Sequence, residues 1–511
     1  MNIFLDRDSR QSITKQLYTR LKTDILSGLL VGDEKLPSTR SLAKELHISR
    51  NVVLEAYDQL LAEGYIYTVD RSGIYITPGV SIAENITNQP SEKSSVIGLQ
   101  FEDDQGTIDF RTGIPNLSLF PKNKWGSIYK TICQDLPPLH LDYYEPSGCY
   151  ELRFQLANYL YRVRGVICSA NDIIITSGAA QGFNMIATHF SSINPHVIVE
   201  DPMSNGITKT LASSNMILHP VPLDHDGLLA HQLPDHIDPS LIFTTPSHQY
   251  PTGAVLPINR RIKLINYATT KNAYIVEDDY DSEYRYEGYP IQSMQSLSPE
   301  RIIYIGTFSK MLFPALRIGY MVLPKALKSA ITSIKYIEDL HSPVLEQLSL
   351  AKFIESGLLD LHVKNSKKYY AKKCAFVVDV LHGVFDESET AHTDNNTFSN
   401  SNNSTSNRKT NDSMITDNMI KRPEIDLVNI PPIEITGHTA GIHLMVRFRD
   451  YHVSDDDIVA LRNAGVTLYT AEAHTIIKGH YTNAILIGFA NLSDDAIQKG
   501  IQIIHTHLLS R

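Results

Sequence analysis

"GTFSKMLFPALRIGY", residues 306–320, follows the apolar, β-branched run from Arg301 to Ile305 and carries one lysine, Lys310, seven residues before Arg317. Such a run reads as a buried strand, and the Ser/Thr-rich segment after it as a turn. Taken alone, this lysine would simply be solvated. Its neighbours change the reading, because Thr307, Ser309 and Arg317 are arranged like ligands for an anion. A desolvated lysine has a lowered pKa and forms Schiff bases, and pyridoxal 5'-phosphate is the aldehyde most often held this way.

That cofactor needs a phosphate cradle, a carboxylate for its pyridine nitrogen and donors for its phenolic oxygen. The sequence offers candidates at the ends of predicted strands, where ligands sit in open α/β sheets. In "IIITSGAAQGF" (173–183) a strand ends in Thr176-Ser177-Gly178 and a helix begins at Ala179-Ala180, so backbone N–H groups face an anion there. Thr307, Ser309 and the planar fork of Arg317 complete the cradle. The carboxylate is Asp278 in "YIVEDDYDSEY" (274–284), with Asp279 as the alternative. An acid after an apolar strand is costly to bury unless paired. At least two of Glu277, Asp278, Asp279 and Asp281 are therefore expected to face solvent.

Around these segments, "DIIITSG", "HVIVEDP", "LIFTTPS", "AYIVEDDY", "IIYIGTFSK" and "IGYMVLP" read as short strands separated by amphipathic stretches. Runs apolar throughout imply a mainly parallel sheet buried on both faces, hence an α/β domain over residues 108–511. Residues 1–77 form a separate unit. Ile13, Leu17, Leu21 and Ile25 mark one helix. A second opens at Pro37-Ser38-Thr39, and a third is capped by Ser49. A hairpin follows around Asp70-Arg71-Ser72-Gly73. Three helices and a hairpin make a winged helix-turn-helix. Residues 78–107 read as a linker, and the Asn/Ser-rich stretch 387–420 as a disordered insertion with little to bury.

Composition narrows the function classes. The 511 residues suit about three domains of about 150 residues. A net charge of −10 excludes binding of polyanions by bulk charge, so any DNA contact is local. The four cysteines show no metal spacing, the N-terminus has charges where a signal peptide needs an apolar core, and no run is long enough to span a membrane. A cytoplasmic protein without a bound metal is expected.

The segments "TSGAAQ", "TPSHQYPTG" (245–253), "EDDYDSEYRY" and "GTFSKMLFPALRIGY" occur in the order and spacing of the fold type I aminotransferases, and the N-terminal unit resembles the GntR-type winged helix. Together they resemble the MocR family of regulators, in which an aminotransferase-like domain senses an effector. The resemblance implies that Lys310 holds the Schiff base, Asp278 pairs with the pyridine nitrogen and Tyr280 approaches the phenolic oxygen. It also implies that Gly178, Ala179, Ala180, Thr307, Ser309 and Arg317 hold the phosphate. Tyr143 in "YYEPSGCYELR" matches the tyrosine that reaches the neighbouring subunit's phosphate, which implies a homodimer with a shared site.

Departures from the family pattern bear on the effector. Tyr250 stands where aminotransferases usually carry Asn, and Ser204 where a ring-stacking aromatic is common. The stretch "LYTAEAHTIIKGHY" offers His474 and Lys478 but no arginine to clamp a carboxylate. In the winged unit, Arg40, Ser49, Arg50 and Asn51 lie where a helix-turn-helix meets backbone and base edges, and Arg71 sits on the wing. The expected function is a pyridoxal phosphate-dependent regulator of operator DNA whose effector is an amino compound or the cofactor itself. A working aminotransferase with an accessory DNA-binding module is the alternative.

Overall fold

The computed structural model describes residues 3–7, 9, 11–81, 106–385, 433–449 and 451–509. The stretch 387–420 lies outside the described residues, as does most of 78–107. The chain divides into two compact units, Met1–Asp103 and Asp104–Arg511.

In the smaller unit, α1 (Ile13–Leu26), α2 (Thr39–Glu45) and α3 (Arg50–Ala62) precede a hairpin of β1 (Ile66–Val69) and β2 (Gly73–Ile76). Each helix starts on a serine whose hydroxyl accepts a backbone N–H three residues on: Ser12 from Lys15, Ser38 from Ser41, Ser49 from Val52. The turn between α2 and α3 needs a left-handed residue, and His47 takes it at φ 55°. Leu17, Leu21 and Ile25 from α1 meet Leu42 from α2, and Val53, Ala56 and Leu60 from α3, in one core closed by Ile66 and Ile76.

The larger unit opens with the short strand β3 (Ile108–Asp109) and the helices α4 (Lys122–Asp135) and α5 (Tyr150–Arg164). Its main sheet contains β4 (Ile173–Thr176), β5 (His196–Asp201), β6 (Ile217–Asp224), β7 (Gly227–Leu228), β8 (Leu241–Thr244), β9 (Tyr274–Asp279), β10 (Ile302–Thr307) and β11 (Gly319–Val322). Their spatial order is β4-β11-β10-β9-β8-β5-β6-β7. The ladders from β10 through β9, β8 and β5 to β6 are parallel, while β11 runs antiparallel to both neighbours. Every residue of β4, β8, β10 and β11 is buried, as two covered faces require. One apolar core covers one side of the sheet and two cover the other.

Each of the six apolar runs expected to be strands is one. The sequence reading passed over β6, which carries Pro220 and Pro222 and is only partly buried. Prolines are tolerated near a sheet edge, and β6 is flanked on one side only by the two-residue β7. A second, four-stranded antiparallel sheet carries the C-terminal region: β12 (Ile433–Thr436), β13 (His443–Phe448), β15 (Tyr469–Thr470) and β16 (Ala484–Gly488). The pair β14 (Val466–Thr467) and β3 ties the start of the unit to this region. No described helix is long and apolar enough to cross a membrane.

Candidate functional site

A cavity of about 410 Å³ opens at the carboxyl ends of β4, β9 and β10. Its lining includes Lys310, Asp278, Tyr280, Ala179, Ala180, Thr307, Ser309 and Arg317, which the sequence had grouped from three separate segments. Gly178 stands immediately before them as the N-cap of α6 (Ala179–Ser191). Tyr143 is exposed and outside this cavity, with its ring near that of His341.

The anion cradle follows from backbone geometry. Gly178 takes φ +90°, and a Cβ there would stand 3.0 Å from Arg317 Nη2. A Cβ on Gly319 would fall 2.7 Å from the Gly178 backbone, so the turn and β11 approach at a distance only glycine permits. Arg317 donates to the Ser177 carbonyl at 2.6 Å, which holds its fork beside the first turn of α6. Thr307 and Ser309, also in the lining, are hydrogen-bonded to each other at 3.0 Å.

Lys310 Nζ donates to the Gly113 carbonyl at 2.6 Å. Burial lowers its pKa below the usual lysine value, against the opposing pull of Asp281 and Asp278. Asp278 has no hydrogen-bond partner among the described residues, and burial, reinforced by Asp279 and Asp281, pushes its carboxyl up to about 8. Its neighbour Asp279 points to the other face of β9, paired with Arg164 Nε at 2.8 Å and with the Tyr304 hydroxyl. Only Asp278 is therefore open to a ligand.

The expectation that at least two of the four acids face solvent is wrong: Glu277, Asp278, Asp279 and Asp281 are all buried. Each of the other three has a fixed partner that the local sequence does not show. Glu277 accepts the N–H groups of Met294 and Gln295, both at 2.9 Å, and Asp281 pairs with His248 Nδ1 at 3.0 Å. The same His248 nitrogen lies 3.0 Å from the Tyr280 hydroxyl, which ties that cavity residue to the buried His248–Asp281 hydrogen bond. His248, Asp281 and His443 bring ligand atoms within 4.8 Å of one another. His443 Nε2 donates to the Pro251 carbonyl at 3.3 Å, which leaves the unprotonated Nδ1 as the ring's free acceptor.

Sequence reasoning did not single out Thr112, Gly113, Asn205, His248 or His443. His474 enters the cavity: its Nδ1 accepts the Asn205 N–H at 3.2 Å, and its Nε2 lies 3.3 Å from the Tyr250 hydroxyl. Tyr250 in turn meets Thr112 at 2.8 Å. Burial pushes His474 down to about 4 and His443 to about 3, so both rings are neutral. Lys478 is exposed and tied to the carbonyls of Glu472 and Thr475.

Residues 13–76 match the family of bacterial regulatory proteins, gntR family, and residues 138–416 match aminotransferase class I and II. The chain is 32% identical to an uncharacterized HTH-type transcriptional regulator, YhdI of Bacillus subtilis, over 98% of this chain and 97% of that one. It is 34% identical to the probable rhizopine catabolism regulatory protein MocR of Rhizobium meliloti, over 73% of this chain and 77% of that one. Among solved structures it is similar to a kynurenine aminotransferase in complex with PMP from Pyrococcus horikoshii. The TM-score is 0.65 at 23% identity, covering 79% of this chain and 91% of that one. The last likeness is one of fold.

Proposed function

The chain belongs to the MocR-type transcriptional regulators, a gntR-family DNA-binding domain joined to an aminotransferase-class domain, and on that premise we propose that its larger unit holds pyridoxal 5'-phosphate at Lys310 and couples that occupancy to DNA binding. The observation that carries the proposal is the convergence of a desolvated amine, an unpartnered carboxyl and a glycine-lined anion cradle on one cavity. When bound, the aldehyde supplies a reversible covalent attachment point for amines.

The chain's own residues have distinct tasks. Arg317, Thr307, Ser309 and the N–H groups of Ala179 and Ala180 hold the phosphate, with the α6 dipole in their favour. Asp278 would accept a hydrogen bond from the protonated ring nitrogen, whose positive charge favours the ionised carboxylate that burial otherwise disfavours. Tyr280, anchored through His248, donates toward the phenolic oxygen. Tyr143 serves the phosphate of a second copy, which makes the working unit a homodimer. A DNA partner places the protein in the cytoplasm.

Asp278 gives a test that does not depend on turnover. Its pKa rises from 3.8 to about 8 on folding, so its contribution to stability is full below about pH 4 and is lost as pH rises to about 8. Ligand-free Asp278→Asn should therefore melt higher than wild type, by a margin that grows from pH 5 to pH 8. Pyridoxal phosphate should stabilise wild type more than this variant, reversing the order. A margin that is flat with pH, or equal affinity of both proteins for the cofactor by absorbance titration, would contradict the role. Tyr143→Phe in the same titration should bind more weakly if a second copy shares the site.

For the winged unit, Arg40, Ser49, Arg50, Asn51 and Arg71 are all exposed on the described surface. Ser49 spends its acceptor capacity on the α3 N-cap, and its hydroxyl hydrogen remains for a phosphate. We assign Arg40 and Arg50 to base or backbone contact. Replacing either by Ala should cost about 1–3 kcal/mol in discrimination if it reads a base, and a roughly uniform loss across sequences if it meets phosphate. The check is anisotropy against duplexes selected by the wild type and against random duplex. Unchanged binding to both by both variants would give the unit another task.

A further inference from the structure

The charged groups of the cavity are few. Apart from neutral histidines, its described lining residues carry two basic side chains, Lys310 and Arg317, and one carboxyl, Asp278, and the cofactor reading above assigns each of them: to the aldehyde, the phosphate and the ring nitrogen. What remains to meet an incoming amine is neutral, chiefly Thr112, Ser204, Asn205, Tyr250 and His474. Lys478 cannot help, because its ammonium is outside the cavity and bonded to two backbone carbonyls. A carboxylate carried into this space would lose its hydration with no unassigned lysine or arginine among the described lining residues to replace it, a cost that is larger for an ion than for any neutral polar group.

The neutral wall is also polarised in one direction. Asn205 N–H donates to His474 Nδ1, so that nitrogen is unprotonated and the ring proton sits on Nε2, facing Tyr250 Oη at 3.3 Å. Tyr250 Oη accepts there and shares a single hydrogen bond with Thr112 Oγ1 at 2.8 Å, in which either hydroxyl can donate. Whichever does, one hydroxyl hydrogen of the pair is left over, on a residue that lines the cavity. The chain thus leaves one neutral donor in the lining, with Asn205 also lining the cavity.

We propose that the amine recognised by this cavity carries a neutral hydrogen-bonding group, such as a hydroxyl, at its far end and not a carboxylate. The inference rests on the pyridoxal phosphate reading, since an amine is captured by exchange. Its nitrogen takes over the double bond to the aldehyde carbon from Lys310 Nζ, which leaves as the free amine. Written for neutral groups, both hydrogens of the incoming nitrogen end on Lys310 Nζ, and nothing is oxidised or reduced. His474 and Tyr250 are the specificity-determining residues.

Three amines on one three-carbon skeleton test it: 3-amino-1-propanol, β-alanine and n-propylamine, each titrated into the full chain loaded with pyridoxal phosphate and followed by its visible absorption. The amino alcohol should bind about tenfold more tightly than n-propylamine, the worth of one or two hydrogen bonds, and more tightly still than β-alanine. In His474→Ala the ratio of amino alcohol to n-propylamine should fall towards one. Because both affinities are read in the same variant, any change in cofactor occupancy cancels from that ratio. β-Alanine binding as tightly as the amino alcohol would overturn the inference. So would a visible cofactor band that none of the amines shifts, an outcome that leaves the cofactor reading standing. Absence of any cofactor band would defeat that reading and this one together.

Discussion

Lys310→Ala protein, incubated with pyridoxal phosphate and reduced with borohydride, is expected to carry no fixed cofactor at this site, whereas wild type gains one pyridoxyl group per chain, mapped to Lys310. The loss should be complete, because no other lysine among the described residues lines the cavity. A competitor elsewhere makes the mapping informative. Burial pushes Lys328 down to about 8, which makes it reactive too, but its ammonium is bonded to the Ile173 carbonyl outside the cavity. Reactivity alone would label Lys328 in both proteins; a built site labels Lys310 only where the cradle and Asp278 accept the rest of the molecule. A fixed label on a cavity peptide of Lys310→Ala would contradict the assignment.

The second large effect concerns the scaffold beneath the site. Arg164→Met should destabilise the larger unit by about 3–5 kcal/mol, because it leaves the Asp279 carboxylate buried without its partner. Arg164 lies at the end of α5 and reaches Asp279 at 2.8 Å, Ser247 at 2.6 Å and the Ile291 carbonyl. It thus joins β9 to the segments after β8 and before β10. Asp279→Asn added to Arg164→Met should recover part of the loss, since the stranded charge is then gone. Urea denaturation followed on the larger unit checks both. A loss below about 1 kcal/mol, or no recovery in the double variant, would show that the pair is not what holds Asp279 in place.

The parts of this fold legible in the sequence are those with one physical cause acting locally. Ser12, Ser38 and Ser49 announce their helices because a cap is satisfied within three residues. The strands β4, β8 and β10 announce themselves because both faces are buried, leaving uninterrupted apolar runs. β6 is hidden by its prolines and its part-exposed face.

The site divides the same way. Lys310, Asp278 and Arg317 stand out because each sits at a strand end beside a turn. Thr112 and Gly113 do not, since their neighbours are distant in sequence: Lys310 and Gly113 are 197 residues apart, and Thr112 and Tyr250 138. The four acids of "EDDYD" show why spacing misleads. Alternation alone would put some in water, but Arg164, His248 and the N–H groups of Met294 and Gln295 let three of them stay buried. The burial of the fourth, Asp278, is the feature a ligand would explain.

The central claim is that occupancy of this cavity governs DNA binding. It is tested most directly by the affinity of the full chain for a duplex it has itself selected, measured by anisotropy without pyridoxal phosphate, with it, and with it plus 3-amino-1-propanol. Wild type should change its affinity severalfold across these states, Lys310→Ala should not, and by linkage the duplex should shift the ligand's midpoint by the same factor. A wild-type affinity for DNA that is the same in all three states would contradict the account.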